Sequence, residues 1–129
     1  QDMTVTSLPD SGLSDVLSSI WFIPGRQYFV VGSGVFYNSQ LDEVWTRDTT
    51  MPSLYTYSIR GSDWNNIFIV GAHGLVLHYN GESWRHYNKG EVPGFYGIYN
   101  AVAVKEDLVV AVGDINAEKG IILIGRRLK

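Results

Sequence analysis

Three histidines, His73, His78 and His86, are the side chains of this 129-residue chain whose ordinary pKa lies near neutrality. His73 and His78 stand five apart across a glycine-bearing turn. On a hairpin that spacing sends them toward different faces, so no shared metal is expected. Cleavage of a glycosidic bond needs two carboxylates at about 5 Å or about 6.5–9.5 Å. Thirteen acidic residues are present, but Asp63, Glu82, Asp107 and Glu118 fall in polar turns without an apolar setting. Arg26, Arg47, Arg60 and Arg85 are scattered over separate segments rather than clustered. Gly32-Ser33-Gly34 follows an apolar strand but leads into another strand, so the helix N-terminus of a phosphate cradle is missing. These patterns predict no catalytic residue, no metal and no cofactor.

The elements that would carry such residues repeat. Ser19-Ile20 … Val30-Val31-Gly32 … Trp45 can be laid over Ser58-Ile59 … Ile69-Val70-Gly71 … Trp84, and more loosely over Asn100-Ala101 … Ala111-Val112-Gly113. The Val-Gly steps recur after 39 and 42 residues, and the two tryptophans are again 39 apart. A period of this length marks a repeat architecture. Each repeat reads as a short strand, a polar turn, an apolar strand ending at Val-Gly, a glycine turn and a third strand. The first two repeats add a fourth strand with the tryptophan. Asn80-Gly81 is a tight-turn signal, because both residues tolerate positive φ.

The second strands, such as Ile67-Phe68-Ile69-Val70 and Val109-Val110-Ala111-Val112, are apolar throughout instead of alternating. Strands read this way when sheets cover both of their faces. Sheets of four strands packed face to face around an axis, with about 40–50 residues each, are propeller blades. We therefore expect an all-β, β-propeller-type repeat of about three four-stranded blades, a single segment over 1–129. The blades fall at approximately 14–50, 54–90 and 96–129, with 3–7 as a candidate blade-completing strand. Three blades are too few to close a ring. The expected partners are therefore further copies (a homo-oligomer) or the remainder of a longer propeller.

Residues 67–84, Ile-Phe-Ile-Val-Gly-Ala-His-Gly-Leu-Val-Leu-His-Tyr-Asn-Gly-Glu-Ser-Trp, resemble the blade consensus of secreted bacterial propellers. They are similar to BNR/Asp-box-like and photosystem-assembly (YCF48-like) repeats. The resemblance implies a propeller fold and an extracellular or cell-envelope setting. The Asp-box pattern is incomplete: Gly81, Ser83 and Trp84 fit, while Tyr79 and Leu77 stand in its Asp and Ser positions.

Composition narrows the function classes. Apolar residues make up 45% and charged residues 18%, enough for a core and too few charges for a disordered chain. The net charge of −3 leaves no basic patch for nucleic acid. There is no cysteine, hence no disulfide framework, and no apolar run of the roughly 20 residues a membrane span requires. Trp45 and Trp84 recur in register and read as blade-packing residues. Trp64, in the polar turn Asp63-Trp64-Asn65, does not recur; it suits either stacking on a sugar or anchoring a protein, or folding back on its own blade. The longest gap between repeats, 87–99, holds Phe95, Tyr96 and Tyr99. In propellers this link and the second-to-third-strand turn, here with His73, lie on the face where ligands usually bind. The binding candidates are thus His73, Trp64, Phe95, Tyr96 and Tyr99. The expected function is a non-catalytic binding or assembly module for a protein or glycan partner. The alternatives are half of a glycan-active propeller enzyme or a self-assembling structural subunit.

Overall fold

The structure, a computed structural model, describes residues 2–9, 11–13, 15–87 and 97–127. These residues form eleven strands in three antiparallel sheets and contain no helix, a propeller-like all-β arrangement. The first sheet is β1 (Leu17–Ile23), β2 (Gln27–Gly32), β3 (Val35–Asn38) and β4 (Thr46–Arg47). The second is β5 (Thr56–Asp63), β6 (Asn66–Gly71), β7 (Val76–Tyr79) and β8 (Trp84–Tyr87). The third is β9 (Ile98–Lys105), β10 (Leu108–Ile115) and β11 (Lys119–Arg126). Within each sheet the strands follow one another as an up-and-down meander. Residues 2–9 join no sheet, so the segment 3–7 completes no blade of this chain. No helix is long and apolar enough to cross a membrane among the described residues.

The recurring glycine has a physical cause. A Cβ on Gly32 would stand 2.1 Å from Val16 O; on Gly71, 2.2 Å from Tyr55 O; on Gly113, 1.8 Å from Ile98 O. At the same place in each sheet the register between the first and second strands slips by one residue. The slip is a β-bulge, and it drives the two backbones together more closely than any side chain allows. The bulge also corrects the alignment of the repeats. Ser19 pairs with Val31, Ser58 with Val70, and Ala101, not Asn100, with Val112.

β1, β5 and β9 lie side by side as the innermost strands. A hydroxyl bridges each neighbouring pair. The Ile59 N–H donates to Ser19 Oγ (3.2 Å), and the equivalent Val102 N–H donates to Ser58 Oγ (3.3 Å). Buried Thr56 adds a clamp between the first two sheets, donating its Oγ1–H to Gly32 O and accepting the Gly32 N–H, each at 2.9 Å.

Packing is directional. Each sheet has a front face that meets the back face of the next. Phe29, Val31 and Val35 on the front of the first sheet pack against Ile59, Ile67, Ile69 and Leu77 on the back of the second. Val70, Val76 and Phe68 on the front of the second meet Val102, Ala111 and Tyr99 on the back of the third. The second sheet is covered on two sides, which accounts for the unbroken apolar run 67–70. The two ends of the stack differ. On the back of the first sheet, Leu13 and Trp45 cover Val30 and Phe36, leaving Ile20 and Phe22 exposed. Nothing described covers the front of the third.

Candidate functional site

A cleft of about 580 Å³ opens between the second and third sheets on the side of β8 and β11. Its size falls within the ordinary range for ligand pockets, about 300–1,000 Å³. The floor is apolar: Phe68, Val70 and Val76 from the second sheet face Val109, Ala111 and Leu123 from the third. The rim is polar and mostly cationic, with His78 and Arg85 on one wall and Asp107, Arg126 and Arg127 on the other. The cleft follows from strand count. In the second sheet β8 pairs along β7, and Arg85 and Tyr87 share a face with their partners His78 and Val76. The third sheet has no strand beyond β11 among the described residues, so no described strand stands opposite β8.

His78 is fixed at the back of the rim. Asn66 donates its Nδ2 hydrogens to Ser62 Oγ (2.7 Å) and Glu106 O (3.2 Å), leaving Oδ1 as an acceptor. His78 Nε2, 2.9 Å away, therefore carries a hydrogen and donates it to that oxygen. The ring also lies on Phe68, with centroids 4.4 Å apart. Burial, then the positive charges of Arg127 and Arg85, hold the His78 pKa below its ordinary value. Burial and these charges disfavour the imidazolium form.

A second groove, about 820 Å³, lies between the first and second sheets. Trp84 stands at its wall, half-buried, with ring centroids 6.0 Å from Phe29 and 5.0 Å from Tyr79. Asp48, Glu82 and His86 edge it. Trp45 and Trp84 both pack against core side chains, as their recurrence predicts.

The candidates chosen from sequence are distributed differently. His73 is exposed in a turn where it and Gly74 both have positive φ, 55° and 70°. The Gly74 N–H donates to Gly97 O (3.1 Å), which sets the turn beside the start of β9. Tyr99 follows two residues later but is fully buried between the second and third sheets. It is a packing residue and not the surface aromatic expected, because the bulge at Gly113 turns it inward. Its hydroxyl pKa is raised by that burial. Trp64 sits at the opposite end of β6 from His73. It is 47% exposed, yet its ring folds onto Gly81, where a Cβ would come within 2.3 Å of Cζ3. Phe95 and Tyr96 lie outside the described residues. The rim of the cleft was missed because its residues come from four separate turns and strands. The repeat offered one usable signal: His78 falls in the same register position as Tyr37 and Ile124, opposite Phe68, Phe29 and Val110, and is the polar exception there. Among the described residues, no three His, Asp or Glu side chains converge as a metal site.

Compared with known proteins, the chain matches no family model, no curated protein and no solved structure.

Proposed function

We propose that this protein is a non-catalytic binding and assembly module whose partner is a protein presenting a blade-like sheet, most simply a second copy. The observation that carries the reading is internal to the repeat. Val31 and Val35 on the front of the first sheet are 0% and 2% exposed, and the equivalent Val70 and Val76 are 1% and 5% exposed. The equivalent pair in the third sheet, Val112 and Ile122, is 42% and 68% exposed, yet remains apolar. Ala101, Ala103, Val110 and Ile124 lie in the same cross-strand rows and extend the patch. An apolar sheet face of this kind, with the periodicity of two faces that are buried, suits a partner's sheet. The half-open back of the first sheet, with Ile20 and Phe22, is the complementary surface in a head-to-tail contact.

Light scattering after size exclusion tests this. The reading expects a species heavier than the single 14.4 kDa chain, reduced to that mass by Ile122→Lys with Ile124→Lys. A lone-chain mass for the unmodified protein at tens of micromolar would overturn it. The aromatic groove supports a second reading, recognition of a glycan by stacking on Trp84 with Asp48, Glu82 and His86 as polar contacts. A glycan array with a Trp84→Ala comparison, paired with a hydrolysis assay, separates binding from the rival enzymatic reading.

A further inference from the structure

We propose that the cleft between the second and third sheets is a strand-acceptor site. It takes residues 2–8 of a second copy as a fourth, antiparallel strand along β11. The inference rests on the reading above of an assembling module and names the segment that is exchanged. Four observations support it.

The first is the seat. β11 is eight residues long and, among the described residues, pairs on one side only, while the corresponding β3 and β7 each carry a further strand. An open edge with an apolar cleft beside it is the arrangement that strand addition uses: backbone hydrogen bonds for affinity, pockets for alternate side chains.

The second is the segment. In Asp2-Met3-Thr4-Val5-Thr6-Ser7-Leu8 the residues 2–6 alternate polar and apolar; the segment joins no sheet among the described residues and exposes Met3 and Val5 almost fully. The apolar floor beneath β8, from Phe68 to Leu123, takes Met3 and Val5. Thr4 and Thr6 then fall on the front with Ile122 and Ile124.

The third is direction and charge. An antiparallel strand begins where β11 ends, at Arg126, with Arg127 and Arg85 on the same rim. Asp2, the acidic residue before Met3, falls in the front row with Thr4 and so stands opposite Arg126. A parallel strand would carry it to the far end, where Glu118 stands beside Lys119 and offsets its charge.

The fourth is reach, which excludes the chain's own segment. The Trp45 N–H donates to Ser11 O at 2.8 Å, and Leu13 packs on Val30 and Phe36, so the chain is pinned to the back of the first sheet. Stacked sheets are about 10 Å apart, placing the third sheet roughly 20 Å away across the second. Leu8 is three residues from Ser11 and reaches about 10 Å at most. In a head-to-tail pair, by contrast, the back of one copy's first sheet meets the front of the other's third. That contact delivers the segment to β11.

The test uses single-cysteine variants of the full chain, which has no native cysteine. Thr4→Cys and Ile124→Cys, carrying different tags, are mixed and oxidised. The proposal expects the mixed disulfide to exceed either like-with-like disulfide at least about tenfold, and Asp2→Lys to lower its yield several-fold at low salt. Thr4→Cys mixed with Thr46→Cys, on the edge strand of the first sheet, should give no such excess. A mixed disulfide no more frequent than the like pairs or the Thr46 control overturns strand exchange. Assembly by mass without the mixed disulfide leaves the sheet-face reading standing and removes this one. A lone-chain mass at equilibrium removes the sheet-face reading even if transient cross-links form.

Discussion

His78 carries a stability signature of its own. Its folded-state pKa lies below the ordinary 6.5 because of burial, with Arg127 and Arg85 adding to the effect. In the interval between the two values the unfolded chain binds the proton and the folded chain does not. The contribution is therefore complete above 6.5 and is lost as pH falls through the folded value. Urea unfolding of the wild type should show a midpoint that drops as the pH falls below about 6.5. His78→Gln keeps a partner for Asn66 and should flatten that part of the profile. Identical profiles for the two proteins would mean that His78 is not the group responsible. At this scale the sequence was least legible. Its histidines are visible, but the Asn66 amide that fixes one of them, and the burial and arginines that depress its pKa, come from β6, β8 and the end of β11. Tyr99 shows the converse error: a tyrosine among glycines and prolines looked like surface, and the bulge at Asn100, opposite Gly113, placed it in the core.

At the scale of the element, the glycine ending each second strand separates a structural requirement from mere permissiveness. Gly71→Ala puts a methyl 2.2 Å from Tyr55 O, where the obstacle is backbone. We expect a loss on the order of 3 kcal/mol, read as a lower midpoint in thermal or urea unfolding. Gly120→Ala meets nothing within 4 Å and should change stability by less than about 0.5 kcal/mol, or raise it slightly. Equal effects at the two positions would sink the bulge explanation. The strands themselves were readable from the sequence because apolar runs and turn residues alternate so regularly; the limits of β6, β7 and β8 fall within a residue or two of that pattern. The bulges were not readable, since a one-residue slip leaves no compositional trace. That is why Asn100 was aligned with Ser19 and Ser58, although Ala101 occupies their place.

For the whole molecule, the test is to make one substitution at two copies of the same position. Val76 and Ile122 are equivalent by register but differ in cover. Val76→Asp buries an unpaired charge between sheets and should cost about 3–5 kcal/mol, enough to unfold a domain of this size. Ile122→Asp should leave the folded chain within about 0.5 kcal/mol of the wild type and act only on association. Near-equal destabilisation would show that the front of the third sheet is not an uncovered surface. The stacked, all-β architecture was legible because strands apolar on both faces need neighbours on both sides. The cleft was not, because it exists between sheets and belongs to no single repeat.

The turns that follow the shared glycines differ in length without disturbing what lies beneath. Three residues separate Val31 from Val35, five separate Val70 from Val76, and nine separate Val112 from Ile122. Nevertheless the Ser19 and Ser58 bridges sit in matching places. Sequence length is thus absorbed at the periphery before it can displace the axis. Foreign loops grafted in place of residues 116–118, between Ile115 and Lys119, should be carried as passengers, which makes that hairpin tip the natural port for adding a tag or a new recognition segment.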